Sequence, residues 1–588
     1  MRQVFRRYRE IILVTLILLV SILVYEFKFI IGNIYNRPDT VYLGTTHVAN
    51  DYMYYLSQVV QGQNRWFCGQ ILQTTDYSGC TYVGWVNIFM GRVIYLLGLD
   101  SVWGYQLISL GWFGVLGVVG YGFIRMIEMS PMSQMSRMGL MNKRLLALMF
   151  FQFATAMPSL KLEGGSWKLE YFDYWYNVGN RMVRFVTIPH HMIGQSFLVL
   201  ALIQVICYTR VNGLFKQSIV SFLLLLSGFV VASVNTIQWG MGVGICGLVI
   251  LIGSWREFFP RFSSVPARNE DINDNKSASS LRSELNRRIP NSHHPKILLV
   301  ITRLFPVICF FLGGLPMAIY LKSLLTTLPY SQMVQWEATT PLAHTPALLF
   351  FLGYGPVLVL ALIGVFFMVR KLTPGRLMVM FFPVVSIGIF LSPLPGLLQT
   401  SGARFIPYIT SLFLGVLASE GVFGIGGLRG LGNLRKPIQV LLVTGFFVLT
   451  IPTYIVQTKE ILATNTGDAF IFLPRDAMEV FDYVKTNTGS TDRFLVNWPF
   501  HVILPALTGR QSYWGDYLMT VDSIRKENEA RMFFYTPDAD IGQKVELLKR
   551  EKINYVVAYP WMPEVNSIPC LKMVKGNNFL GLYKVECR

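Results

Sequence analysis

The sequence predicts a polytopic α-helical membrane protein with a small extracytoplasmic α/β domain at its C-terminal end. Three observations carry that expectation. The 588 residues are 53% hydrophobic and only 14% charged, with a mean hydropathy of +0.45. Apolar runs of about 17 to 25 residues, the length that crosses a hydrocarbon core, recur from residue 10 to residue 457. Beyond residue 457 the composition changes to that of a soluble domain. The net charge of +18 does not point to nucleic acid. The basic residues sit mostly in short loops between apolar runs, the positive-inside pattern, which also suits anionic lipid headgroups.

The opening residues MRQVFRRYRE are basic and precede an apolar run at 11–31. That run is longer than the apolar part of a signal peptide and no small-residue cleavage site follows it. It reads as an uncleaved span with the N-terminus in the cytoplasm. Residues 32–102 then form a first outer loop. Within it, the apolar segment 82–99 reads as a helix lying on the membrane surface. Were it to cross, the basic stretch 125–144 would fall outside, against the charge rule; Arg92 in its middle and Trp85 near its start also suit an interfacial helix. Spans are expected at 10–31, 103–126, 145–162, 188–208, 217–235, 240–255, 297–321, 345–369, 377–394, 405–423 and 437–457, about eleven in all. The longest cytoplasmic loop, 256–296, is rich in Ser, Asn, Arg and Glu and is expected to be disordered.

An odd number of spans divides the chain into a membrane domain, 1–457, and an outer domain, 458–588. In the outer domain 474–485, 520–534 and 541–552 have helical patterns, and 493–497 and 553–559 have strand patterns. Residues 571–585 read as a hairpin about Gly576-Asn577-Asn578. Residues 498–517, with ALTGR and SYWGD, read as an aromatic loop. Cys68 and Cys80 share the first outer loop, and Cys570 and Cys587 flank the last hairpin. Both pairs are compatible with disulfides in an oxidising compartment; four free thiols is the other reading.

The stretch at 41–67, VYLGTTHVANDYMYYLSQVVQGQNRWF, organises the chemistry. It carries His47, Asn50 and Asp51. From Asp51 it reads as a short helix with Asn50 as N-cap and Tyr52, Tyr55, Leu56 and Val59 on one face. Such a helix is expected at the membrane–water boundary, with its tyrosine rings in lipid. Asp51 is then a carboxylate held at a helix start, or simply a helix-starting charge. No Walker loop, CxxC pair, HExxH, Rossmann glycine run or hydrolase elbow appears in a fitting context. The remaining polar residues gather on the outer face. They are His47 and Asp51, then Glu163, Lys168, Glu170, Asp173, Arg181, Arg184, His190 and His191, then Asn235 and Trp239, and Arg404 after Pro393-Leu-Pro-Gly.

This arrangement resembles the GT-C superfamily of membrane glycosyltransferases, which includes protein mannosyltransferases and the aminoarabinose lipid A transferase. The resemblance rests on the N-terminal span, the outer loop bearing Asp51, and the second interfacial helix in YVGWVNIFMGRVIYLLGLDSVWGYQL. A further acidic loop and a C-terminal outer domain complete it. Two features depart from the pattern: no second acid adjoins Asn50-Asp51, and the C-terminal domain lacks a sugar-module signature. The resemblance implies a sugar arriving on a polyprenyl phosphate and an extracytoplasmic glycan, lipid or protein acceptor. Asp51 would be the general base or the ligand of a divalent cation. Glu170 and Asp173, spaced to share a helix face, would be second acids. Arg404 would meet the phosphate charge, and His47, His190 and His191 would bind substrate. Plainer readings stand beside each: an interfacial anchor for Arg404, interfacial rings for the histidines, solvated loop charges for the acids. Such an enzyme would sit in a prokaryotic plasma membrane, since the ending KVECR carries no retrieval signal. The two rival readings are a transporter, which would call for midplane ionisable groups and broken or inverted halves, and a non-catalytic assembly factor.

Overall fold

The computed structural model describes residues 2–45, 49–76, 79–127, 137–172, 188–208, 213–258, 294–339, 347–370, 372–426, 428–463, 467–536 and 539–587. The first half of the membrane domain contributes α1 (Arg2–Tyr35), α2 (Ala49–Gln61), α3 (Trp85–Leu96), α4 (Ser101–Ile127), α5 (Arg137–Phe153), α6 (Pro189–Tyr208), α7 (Leu214–Val234) and α8 (Thr236–Phe258). The second half contributes α9 (His294–Leu324), α10 (Tyr330–Thr339), α11 (Ala347–Tyr354), α12 (Pro356–Met368), α13 (Pro374–Leu391), α14 (Leu394–Leu397), α15 (Thr410–Gly426) and α16 (Arg435–Leu462). Among the described residues eight helices are long and apolar enough to cross a membrane: α1, α4, α6, α7, α8, α9, α13 and α16. The expected loop at 256–296 falls mostly on 259–293, outside the described residues.

Three expected spans take a different form. The run 145–162 is helical only to Phe153 and becomes strand β2 (Pro158–Glu163). A proline there lacks the N–H that a helix interior needs and disfavours helix in the residue before it. The run 345–369 is broken between α11 and α12 at Gly355. Its φ is +67°, and a Cβ there would stand 2.0 Å from the Thr155 carbonyl oxygen. The run 405–423 opens as a 3₁₀ turn, Gly402–Phe405, and α15 starts only at Thr410. From Thr410 to Val422 every residue of α15 is buried, so it is an internal helix wrapped by protein.

Helix α3 has 12 residues, a length of about 18 Å against a hydrocarbon core of about 30 Å, too short to cross. It lies against α2 at backbone distance. A Cβ on Gly91 would come within 1.9 Å of the Val59 carbonyl oxygen, so only glycine fits. Tyr52, Leu56 and Val59 of α2 are buried, but protein covers them. They share a core with Phe500, Val502, Ile503 and Leu504 of the C-terminal domain, which replaces the lipid contact expected for the tyrosine face.

That C-terminal domain carries a five-stranded sheet ordered β6-β5-β7-β9-β8 (Gln511–Ser512, Arg493–Val496, Tyr555–Ala558, Gly581–Val585, Leu571–Gly576). β5 runs parallel to β6 and β7, and β9 is antiparallel to β7 and β8. Helices α17 (Arg475–Asn487), α18 (Phe500–Thr508), α19 (Ser523–Tyr535) and α20 (Ile541–Arg550) accompany it. Most elements fall where the patterns predict them. The exception is 498–517, expected as a loop: nine of its residues form α18, all buried, closed by Gly509 at φ +72°.

The domain is stitched to the first loop. β1 (Thr40–Tyr42) pairs antiparallel with β4 (Phe472–Pro474), and the Ser512 N–H donates to the Leu72 carbonyl at 2.8 Å. Lys526, fully buried, stands 2.5 Å from the Asp76 carboxylate, donates to the Thr74 and Thr75 hydroxyls and lies over the Tyr513 ring. Cys68–Cys80 and Cys570–Cys587 are disulfide-bonded. On the face away from this domain, Lys143 of α5 and Arg376 of α13 converge on Glu420 of α15, at 2.6 and 3.6 Å, all three buried.

Candidate functional site

Helix α2 begins at Ala49, so Asn50 and Asp51 both lie in its first turn rather than Asn50 capping it. The Asp51 side chain is exposed there. One turn along the same side of the helix, the Tyr55 ring meets the His190 ring edge-on, with centroids 4.6 Å apart. His190 and His191 open α6, their rings 4.5 Å apart, and His191 meets Tyr408 at 5.9 Å. Four residues before Tyr408, the Arg404 guanidinium binds the Glu337 carboxylate through both Nε and Nη2, the Nε contact at 3.2 Å. The Thr400 hydroxyl approaches the same carboxylate at 3.5 Å. Glu337 is almost enclosed at 10% side-chain exposure, whereas Arg404 is 35% exposed. The arginine is therefore oriented by Glu337 and remains partly exposed.

A second wall comes from the C-terminal domain. Trp336, beside Glu337 on α10, meets the Tyr517 ring at 6.3 Å, and Gln332 donates to the Thr520 carbonyl at 3.0 Å. Burial pushes the Asp516 carboxyl above its ordinary value of 3.8, against two backbone N–H groups that hold it down. Below the histidines, the Gln195 amide donates to Gln238 and accepts from the Ile409 N–H at 3.3 Å. Gln238 is itself anchored through its N–H to the Asn235 side-chain oxygen at 3.1 Å. The loop ends of α6, α7 and α8 and the 402–410 segment are thus locked together by polar contacts.

Ring contacts link Tyr55, His190, His191 and Tyr408 in series; Asp51 lies one turn before Tyr55 on α2, and Arg404 lies four residues before Tyr408. Glu170 lies outside this series. That residue was expected on a helix face, but the alternating pattern of Ser166 to Tyr171 makes strand β3 (Ser166–Tyr171), paired with β2 (Pro158–Glu163). Its carboxylate is half-exposed and ion-paired with Lys161 at 3.7 Å; Glu163 and Lys168 likewise pair with each other at 2.8 Å. His47, Asp173, Arg181 and Arg184 lie outside the described residues. Asn235 supports Gln238, and the Trp239 indole N–H donates to the Phe310 carbonyl at 3.1 Å, a packing role. Sequence reasoning missed Glu337 and Asp516. A signal for the first was present: Glu337 is the only carboxylate between Glu284 and Glu420. Among the described residues no three His, Cys, Asp or Glu side chains gather as a metal-binding set.

No family model matches the sequence, and no curated protein matches it. Solved structures do. The arabinofuranosyltransferase AftD from Mycobacteria matches with a TM-score of 0.50 at 13% identity over 98% of this chain, which spans 41% of that protein. The oligosaccharyltransferase of Archaeoglobus fulgidus matches at 0.49 and 12% identity over 94% of this chain and 70% of its own. ArnT from Cupriavidus metallidurans matches at 0.47 and 11% identity over 97% of both chains. The shared fold rests on the first of these and is the fold that the GT-C resemblance implied.

Proposed function

We propose that this chain, built on a GT-C-type fold, is a membrane glycosyltransferase that moves a sugar from a polyprenyl-phosphate donor to an acceptor hydroxyl. The observation that carries the reading is the series of rings Tyr55, His190, His191 and Tyr408, flanked by Asp51 one turn before Tyr55 and by Arg404, bound to Glu337, four residues before Tyr408. It supports placing a carboxylate and an oriented guanidinium at the same site. The arabinofuranosyltransferase that shares the fold is by its name a glycosyltransferase, which supports the reaction class.

In this reading Asp51 accepts the proton of the acceptor hydroxyl as its oxygen bonds to the sugar carbon. The bond from that carbon to the phosphate oxygen breaks, and the electron pair leaves on the polyprenyl phosphate. Arg404, held at its back by Glu337, faces the charge that develops there, its planar fork matched to two phosphate oxygens. His190 and His191 shape the wall beneath. A divalent cation would add Lewis acidity at the phosphate, but the described residues do not make up a ligand set for one, and each step above uses the chain's own groups. Glu170 and Asp173 remain proposed second acids, the first weakened by its pairing with Lys161. In this reading the site faces outward, because Arg125, Lys143, Arg144, Arg376, Arg435 and Lys436 cluster at helix ends on the opposite face; the plasma membrane is the proposed location. The test is purified protein supplied with a panel of labelled polyprenyl-phosphate sugars and simple acceptors. Release of free polyprenyl phosphate is expected; a transporter or assembly factor would release none.

A further inference from the structure

Helices α1, α5 and α16 point the same way, toward the C-terminal domain. α1 and α16 meet through Tyr25 and Tyr454, whose hydroxyls are 3.0 Å apart, and the Tyr25 hydroxyl also donates to the Gln152 carbonyl of α5. Around this contact the helices enclose a groove of about 800 Å³. Its walls include Val20, Leu23 and Val24 of α1, Phe153 of α5, and Ile451 and Ile455 of α16. Its few polar groups are mostly satisfied from within: the Thr450 hydroxyl donates to the Phe446 carbonyl at 3.0 Å, and Tyr454 is taken by Tyr25. Lys459 is the exception in kind, an exposed ammonium at the end nearest the C-terminal domain. Its neighbour Glu460 is engaged by the Tyr171 hydroxyl at 3.1 Å.

We propose that this groove binds one anionic bilayer phospholipid from the leaflet next to the C-terminal domain, acyl chains along α1 and α16 and phosphate at Lys459. Depth and charge carry the inference. Along α1 the lining runs from Leu16 to Phe27, and along α16 from Phe447 to Lys459. At the helical rise these are about 16 and 18 Å, against about 15 Å for one leaflet of a hydrocarbon core. The cation stands at one end of that depth, where a headgroup lies. The acyl chains of one leaflet match a groove of this depth; a polyprenyl chain would overrun it. None of the lining residues belongs to the Asp51–Glu337 wall, so the site is separate from the proposed reaction and stands without it.

The experiment reads lipid retained by the full chain, using native mass spectrometry after exchange into phosphatidylglycerol nanodiscs. One phosphatidylglycerol is expected to stay bound, and a photoreactive acyl-chain analogue is expected to label peptides of α1 and α16. Lys459→Glu should lower occupancy about tenfold, because it replaces an attractive charge with a repulsive one at the headgroup. Val24→Trp, which fills the groove, should do the same without touching the charge. Displacement by an equimolar polyprenyl phosphate or by phosphatidylcholine would overturn the proposal, as would wild-type retention by both variants. The labelling of unmodified protein needs no variant to fold, and labels confined to other helices would also overturn it.

Discussion

Glu337 shows what a single side chain gains from a partner 67 residues away. Its carboxylate holds Arg404 by two nitrogens, so Glu337→Gln leaves the arginine present but loosely aimed. Transfer is expected to fall roughly ten- to a hundredfold, the worth of a charge-assisted hydrogen bond, mostly in kcat; steady-state kinetics against donor concentration checks it. Asp51, His190, His191 and Arg404 were legible as candidates from residue type and place in the chain. Glu337 and Asp516 were not, because their roles come from pairing and burial that sequence spacing does not record. His501 offers a pH test. It is stacked on Trp514 at 3.9 Å, and burial pushes its imidazole down to about 3 from 6.5. The unfolded chain therefore takes this proton first. The stability from keeping His501 neutral is complete above pH 6.5 and is lost as pH falls toward 3, by up to a few kcal/mol. His501→Phe keeps the ring and should flatten that acid limb in thermal melts run between pH 7 and pH 4.

At the scale of elements, α15 is held inside the membrane domain by one buried acid. Glu420 meets Lys143 of α5 and Arg376 of α13, so a single carboxylate ties three helices at one end. Removing it leaves two cations buried without their anion. Glu420→Ala is expected to cost about 3–5 kcal/mol in denaturant unfolding in detergent, whereas loss of a surface pair would cost under about 1 kcal/mol. The same helix explains why run length misplaces the start of this segment. A helix wrapped by protein is apolar all round, so hydropathy extends its run into the neighbouring 3₁₀ turn and cannot see where it starts. Gly355 breaks another run without interrupting its apolar composition. Helix α18 was hidden differently: its stretch reads as an aromatic loop, yet its burial against α2 outweighs the proline at its sixth position. The outer helices of the C-terminal domain were legible because each is solvated on one side and keeps its periodicity, and β5 and β7 because each is a short apolar run, buried almost throughout.

For the whole molecule, the polytopic plan with a C-terminal α/β domain was readable from composition alone, while the way that domain clasps the first loop was not. Lys526, Gln73 and the β1–β4 pairing join segments more than 400 residues apart, and no local pattern announces them. The orientation proposed here expects Ser490→Cys to react with an impermeant maleimide applied outside intact cells and Lys216→Cys to react only after permeabilisation; the reverse pattern would place the site in the cytoplasm. The central claim is that Asp51 takes the acceptor proton on a polyprenyl-phosphate glycosyltransferase, and the direct measurement compares wild type with Asp51→Asn in release of labelled polyprenyl phosphate. The amide keeps the shape of the side chain but accepts no proton. The account predicts turnover by the wild type and a loss of about 10²- to 10⁴-fold in the variant, with its melting unchanged within about 1 kcal/mol. Equal turnover by the two proteins would contradict it.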